Sequence, residues 1–552
     1  MARFTQERSP IKVFTPLEEN TLLAVSLKGT ETLGASFDFQ VNLIAAKSTK
    51  VDFNALLGHE ARVAVELPGG SERHYHGEIA EWSQGDSDEV FDHYSMVLRP
   101  KLARLGLTRR SRIFQNQSAL DILKEILKPV GGAEYLINQT PPVRVYCTQY
   151  RETDLEFFLR LCSEEGITHY WKHTQEGHQL VLADNSPIGP SVGEIAYDLT
   201  LGGTQRKPFF RSWKVTQSMS TTGAGILDHQ FQLFGQKIEA NANGPASIMA
   251  GDLSLTPSGS VAPWQEDHLS AARYFDGVNS SGGQDSAALP QIYPAQERQA
   301  KILARGAASG SVRAWAIGNC CQVTPGHAFR LTSHSNQNGD WLTVTASHDL
   351  ELEGRFWAGE TSNLRIEVTT ESAPRSLVQA PWPARQRPRL GGIETAIVTG
   401  PVGKETFVDP YGRIKVRFWF DRNGPTDAGS SCWVRVSQVS AGKNWGACFW
   451  PRVGHEVVVA FEGGDPDRPI VVGSVYNSLN MPPYALPEHV YISGFKSSIE
   501  GGDPSKNFHQ ILMSDEKGSE VVHIHAEGAL VSHQESQQFN MRPKLDFYLH
   551  GG

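Results

Sequence analysis

The sequence predicts a mainly β protein with a few short helices, in which one stretch closes into a small barrel of the OB type. Apolar and polar residues alternate with period two in many short runs, the mark of half-buried strands. Only two segments show capped helical periodicity. The 52 glycines and 31 prolines, about 15% of the chain, slightly exceed the ordinary background, as befits a turn-rich β fold. A length of 552 residues suggests about three to four domains.

Ala35-Ser-Phe-Asp-Phe-Gln-Val-Asn-Leu-Ile44 and Ala61-Arg-Val-Ala-Val-Glu-Leu67 read as strands, with a hairpin turn at Pro68-Gly-Gly-Ser71. The first helix begins at Ser118, capped with Asp121. It buries Leu120, Leu123, Ile126 and Leu127 and stops at Pro129 and Gly131-Gly132. The second begins at Thr153, with Glu156 completing the capping box, and carries Leu155, Phe158, Leu159 and Cys162 on its buried stripe. Gly166 ends it in the left-handed conformation. Adjacent Glu164 and Glu165 read as a solvated face.

Strands return at Ile167–Trp171, Phe329–Leu331 and Trp341–Ala346, and residues 240–290, rich in Gly, Ser, Ala and Asn, read as a long loop or insertion. Residues 373–392 hold four prolines and read as a linker. Residues 393–478 carry five short strands: Ile393–Val398, Arg413–Phe420, Cys432–Val436, Glu456–Phe461 and Ile470–Val472. Ile414, Val416, Phe418 and Phe420 are expected to face one way, and Lys415, Arg417 and Trp419 the other. Beyond Pro482-Pro483 the clearest strands are His509–Met513 and Glu520–His525.

A net charge of −9 argues against a general nucleic-acid binder, while leaving a local basic patch open. Six cysteines without a Cys-x-x-Cys exclude a disulfide scaffold and a thiolate zinc site, and fit synthesis in a reducing cytosol. Cys320-Cys321 reads as two strand residues facing opposite sides, with a vicinal disulfide as the alternative. The N-terminus lacks the apolar core of a secretory signal. No apolar run approaches the 18 or more residues of a membrane span, so stable membrane insertion is not expected.

No catalytic constellation and no cofactor motif is expected. A nucleophile elbow is not read, His455-Glu456 lacks the second histidine of a zincin, and Gly403-Lys404 lacks the hydroxyl of a P-loop. His74 with His76, and His523 with His525, have the spacing that puts two imidazoles on one strand face. That face can be a metal site or simply polar. Glycoside-cleaving carboxylate pairs stay open. Trp419, Trp433, Trp445 and Trp450 fall in the barrel and can serve base or sugar stacking, barrel packing or subunit contact.

Several ordered segments together resemble the VgrG spike proteins of type VI secretion. Thr153–Ile167 with His169-Tyr170 resembles the hub. Asp409–Phe418, Asp421-Arg422, Ala441–Gly446, Pro451–Val459, Gly464–Ile470 and Gly473–Asn477 resemble the barrel signature. Phe508–Ile511, Asp515–Glu520 and His523–Glu527 resemble the start of the needle.

The resemblance implies phage-hub-like β-barrel domains, then an OB-fold barrel, then the start of a triple-stranded β-helix needle. The division implied is a hub-like domain at 1–372 (two barrel subdomains plus helices near 118–128 and 153–165), a linker at 373–392, the barrel at 393–478, and a short needle start and tail at 479–552. It implies no catalytic residue. Asp409, Gly412, Trp445, Gly446, Pro451, Gly454 and Gly473 become structural barrel turns, and His523 and His525 candidate metal ligands at a trimer axis.

The partners implied are two further copies in a homotrimer, the Hcp tube, a PAAR-repeat tip protein, baseplate components, and an effector or adaptor. The chain would be made and assembled in the cytoplasm without a signal peptide, then expelled by the contractile machine. After Gly528 it departs from the family's valine-rich repeats, so a very short needle, or a truncated or divergent product, is expected, and tip binding and a C-terminal effector fusion are open there. A baseplate hub of a phage tail or extracellular injection system is the near alternative. A hub-borne cell-wall hydrolase and a carbohydrate- or nucleic-acid-binding OB protein are the alternatives of different class.

Overall fold

The two capping boxes set the first two helices. In the computed structural model, α1 spans Ala119–Leu127. Ser118 Oγ accepts from the Asp121 N–H, and the Asp121 carboxylate accepts from the Ser118 N–H. Helix α2 spans Asp154–Glu165 with the same reciprocal pair at Thr153 and Glu156. Gly166, at φ 65°, ends it, and the Ile167 N–H reaches back to the Cys162 carbonyl at 2.8 Å. The structure describes residues 4–47, 49–67, 70–184, 189–199, 207–257, 263–268, 271–353, 363–377 and 387–531. Pro68 and Gly69, much of the proline linker and the tail beyond 531 lie outside the described residues.

Twelve strands form one continuous sheet. Its first half is antiparallel, in the order Ile11–Phe14, Glu60–Glu66, Glu72–Ser87, Phe91–Arg99, Asp38–Ala46 and Leu23–Thr32. The last of these pairs with the long strand Gly339–Glu353. From there the order runs through Ala328–Thr332, Ser191–Tyr197, Phe209–Gln217, Val312–Gly318 and Asn363–Pro374. This last strand pairs back onto Gly339–Glu353, closing six strands into a barrel. One large core, including Phe37, Phe39, Tyr75, Phe157, Phe158 and Trp341, fills the space between these strands, α1 and α2.

Residues 240–290 are not a plain loop. They complete a three-stranded sheet, Gly223–Asp228 flanked by Ile238–Asn243 and Trp264–His268, and a hairpin of Ile248–Ala250 with Leu253–Leu255. A 17-residue helix, α3 (Ile292–Ala308), packs under the sheet through Ala300 and Ala304. Cys320 and Cys321 are buried free thiols just after strand Val312–Gly318, not within a strand.

The small barrel is ordered Lys415–Phe418, Glu394–Thr399, Glu456–Phe461, Pro469–Val475, Arg435–Val436. Reciprocal hydrogen bonds between Ile414 and Val434 close the ring. Ile414, Val416 and Phe418 fill it with Val457, Val459 and Val471, and Tyr150 and Ile113 from the hub strands join the same cluster. Beyond it, Ile492–Lys496, Gln510–Ser514 and Val521–His525 make an antiparallel three-stranded sheet.

Candidate functional site

The most heavily built polar region is the joint between hub and barrel. Helix α2 turns Arg160, Glu164 and Glu165 inward, whereas the sequence reading places Glu164 and Glu165 on a solvated face. All three are buried, because guanidiniums from distant segments converge on them. Arg144, on strand Val143–Thr153, donates Nη1 to Glu164 at 2.6 Å and Nη2 to Glu165 at 2.5 Å, and its guanidinium lies 4.4 Å above the Tyr274 ring. Arg160 forks onto Glu152 at 2.8 Å through both Nε and Nη2 and reaches Glu164 at 3.1 Å. Arg387, just before the barrel, donates Nε to Glu164 at 2.7 Å. Arg298 of α3 pairs with Glu165.

The barrel answers with the loop Gly464-Asp-Pro-Asp-Arg-Pro469. Asp465 lies 3.5 Å from both Arg387 and Arg273, and Asp467 Oδ1 accepts from the Thr148 N–H at 2.6 Å. A second seam joins the insertion to the barrel. Arg413 forks onto Asp276 at 2.7 and 3.0 Å and donates Nε to Asp409 at 2.6 Å. Arg468 reaches Asp228 at 2.7 Å, and Trp433 donates its indole N–H to the Asn279 carbonyl at 2.8 Å. Lys415, which faces away from Ile414 and Val416, is nonetheless buried over the Trp433 ring and donates to the Ser431 carbonyl at 2.7 Å, because hub segments cover that side of the barrel.

The electrostatics follow from this packing. Burial alone would raise the Glu164 carboxyl, but Arg387, Arg144, Arg160 and Arg273 outweigh it and hold it well below the ordinary carboxylate range. Asp467 goes the other way, pushed up to about 6 by burial and by the neighbouring Asp465. These charges are spent on one another across domain boundaries, an arrangement suited to rigid coupling rather than to turnover.

The predicted turn residues fall as follows. Asp409 Oδ1 accepts from the Tyr411 and Arg413 N–H groups, and Gly412, at φ 70°, closes that turn beneath the Trp450 indole. Trp445 and Gly446 form one side of the hairpin Ala441–Gly442 with Trp445–Gly446, and Gly454, at φ 88°, donates to the Val398 carbonyl. Pro451, in the stretch of chain between that hairpin and Gly454, is half-buried. Gly473 is not in a turn. It lies within strand Pro469–Val475, beside a register shift opposite Val458 and Val459.

Other candidates are placed differently from expectation. Trp433 is buried in the second seam and offers no face for stacking, whereas Trp419, Trp445 and Trp450 are exposed. His76 is buried, with Nδ1 3.1 Å from His178 Nδ1, and burial is the main cause that pushes the two imidazoles down to about 4 and about 3. His523 and His525 share one face of their strand with rings near parallel, and Gln510 Nε2 lies 3.0 Å from His523 Nδ1. Among the described residues no group of three or more His, Cys, Asp or Glu is placed to hold a metal. Sequence reading misses one run with nucleophile-elbow spacing, Gly189-Pro-Ser-Val-Gly193. Ser191 opens a strand there, its Oγ accepting from the Gly193 N–H, not the strand-to-helix turn that an elbow needs.

Among the described residues, one face of the distal sheet is apolar and largely exposed. Register sets Phe495, Ile511 and Ile524 side by side, and Met513 beside Val522 on the same face. All five are exposed, Phe495 at 63% and Val522 at 69%. Phe495 also stacks on Phe449 of the barrel at 5.4 Å. His523 and His525 face the other way.

Comparison with known proteins accounts for this layout. A family described as phage tail baseplate hub (GPD) matches residues 30–354, and one described as the type VI secretion system/phage-baseplate injector OB domain matches residues 398–476. The spike protein VgrG1b of Pseudomonas aeruginosa is 34% identical over 532 residues, covering 95% of this chain and 68% of that protein. The chain belongs to the VgrG family of type VI secretion spike proteins. VgrG1a of the same organism is 36% identical, with 94% and 77% covered.

The fold is shared with a solved type VI secretion component of E. coli, described as similar to the T4 bacteriophage tail proteins gp27 and gp5. That match has a TM-score of 0.56 at 18% identity and covers 84% of this chain and 99% of that one. As a VgrG, the chain has the structural role of a spike and hub. A Vibrio cholerae relative, 30% identical, is named an actin cross-linking toxin, and this chain covers 46% of it and 95% of itself.

Proposed function

We propose that this VgrG works as a homotrimer that caps the Hcp tube with its hub and carries load from hub to barrel to needle when the sheath contracts. The observation that carries the reading is the apolar face of Phe495, Ile511, Met513, Val522 and Ile524, exposed on a three-stranded sheet. Such a face is stable in water only when other chains cover it, and three copies around an axis supply that cover. The joint fits the same role, since its interlocked arginines and carboxylates resist relative motion of hub and barrel. Packing the Phe495 face inward sets His523 and His525 on the outer side, so no axial metal is part of the proposal.

The division of labour proposed is hub at 1–372, linker at 373–392, barrel at 393–478 and needle start from 479. Asp409, Gly412, Trp445, Gly446, Pro451 and Gly454 shape barrel turns. The chain acts without catalysis of its own, is assembled in the cytoplasm on baseplate components, and leaves with the expelled tube. A PAAR-repeat tip and an effector or adaptor are its further partners. Among the described residues no helix is long and apolar enough to cross a membrane.

The test is Hcp release from a bacterium whose only spike gene encodes this chain. Wild type supports release, and Ile511→Asp abolishes it while the protein stays folded. Release unchanged by Ile511→Asp contradicts the proposal.

A further inference from the structure

The insertion sheet has an outer face that the joint does not use. Its inner face, Ala224 and Ile226, packs on α3. Residues Gly223, Gly225 and Leu227 therefore point outward, level with Asn243, Asn241 and Glu239 on one side and with Trp264, Glu266 and His268 on the other. The Trp264 indole lies flat over the two glycines. A Cβ on Gly223 would stand 2.4 Å from the ring, and one on Gly225 would stand 3.1 Å from its nitrogen. Glycine inside a strand costs stability and marks a close approach. Here it lets the indole lie against the backbone, one face down, while the ring keeps 45% exposure on its open side.

Covering the glycines explains the lower ring face. It does not explain the rim. Asn241, Asn243, Glu239, Glu266 and His268 are all exposed around the ring, and Leu227 extends its apolar surface. Asn241 already donates to Glu239 at 3.2 Å, which pre-orients both. A flat apolar ring framed by amides and carboxylates matches a pyranose, which offers a C–H face to an aromatic and equatorial hydroxyls to groups in the same plane. Glu239 and Glu266 outweigh Lys237, which pairs with Glu239, so the rim repels polyanions such as nucleic acid or uronic-acid polymers.

We propose that this face binds an uncharged glycan, a chain of equatorially linked pyranoses, with Trp264 as the stacking platform and Asn241 and Glu266 as hydroxyl partners. It gives the insertion sheet a contact with envelope or matrix polysaccharide, on a different element from the apolar face of Phe495, Ile511 and Ile524.

The test uses the purified full-length protein with chitohexaose and cellohexaose as probes. Binding is read by calorimetry, and Trp264 accessibility by N-bromosuccinimide oxidation and peptide mass spectrometry. The expected result is saturable binding of at least one probe that protects Trp264. Trp264→Ala lowers affinity at least about tenfold, equivalent to about 1.4 kcal/mol. Because that change uncovers two glycines, Asn241→Ala and Glu266→Gln are measured too. They weaken binding several-fold with unchanged melting, and Trp419→Ala leaves binding intact. The proposal is overturned if neither probe protects Trp264 at millimolar concentration, or if the rim variants bind like wild type. It is equally overturned if Trp264 in the assembled protein is inert to the reagent before any probe is added, which would mean that another copy covers the face.

Discussion

Replacing Glu164 by glutamine keeps its shape and removes one charge from the centre of the joint. The carboxylate receives Arg144 at 2.6 Å and Arg160 at 3.1 Å, both out of water, and the partly buried Arg387 at 2.7 Å. Glu164→Gln leaves those guanidiniums short of countercharge and turns an amide donor toward one of them. Removing one partner from a buried ion pair costs about 3–5 kcal/mol. Arg387 also holds Asp465 of the barrel, so the loss is expected to separate barrel from hub. Scanning calorimetry of the full chain is the assay, with Lys506→Gln, which breaks an exposed pair, as control. Wild type and control should melt with hub and barrel coupled, and Glu164→Gln should melt earlier with the transitions separated. A second readout is acid. Because the folded carboxyl sits well below its ordinary value of 4.5, its contribution is full above that pH and lost as pH falls through the folded value. A variant within about 1 kcal/mol of wild type, with coupled melting, would refute the joint as the rigid link.

Three further outcomes are expected. His76 and His178, pushed down to about 4 and about 3, refuse protons that the unfolded chain takes up near 6.5. Hub stability therefore falls as pH drops below 6.5, and a His76→Asn, His178→Asn double variant should flatten that slope in melts between neutral pH and about pH 5. Gly412→Ala puts a Cβ at φ 70° and 2.5 Å from the Trp450 indole, so the barrel should lose about 1 kcal/mol or more in denaturant melts. Phe495→Asp should leave the far-ultraviolet circular dichroism of the hub unchanged while shifting sedimentation to a smaller species, whereas Lys517→Asp, on the turn before Val521, should not.

Much of the β layout and both capped helices were legible because their signals are local. Thr153-x-x-Glu156 and Gly166 declare α2 within fourteen residues. The alternation of Ile414, Val416 and Phe418 declares the barrel core. What escaped depends on residues far apart in the chain. Glu164 and Glu165 look like surface charge on a helix, and only Arg144, Arg298 and Arg387, brought in by the fold, make them a core. Lys415 obeys the strand alternation, yet its outward side is roofed by the hub. Helix α3 hides because it has no side-chain N-cap and its buried stripe is largely alanine, too small to stand out as apolar periodicity. The motif Gly464-Asp-Pro-Asp-Arg-Pro469 was visible, but nothing local says that its aspartates answer arginines of the hub.

Native mass of the purified full-length chain tests assembly through the needle face most directly. Multi-angle scattering across a concentration series should give three times the 60.7 kDa chain mass. The same measurement on Ile511→Asp should give a smaller species. A wild-type mass of one chain at every concentration would contradict a trimeric spike built on that face.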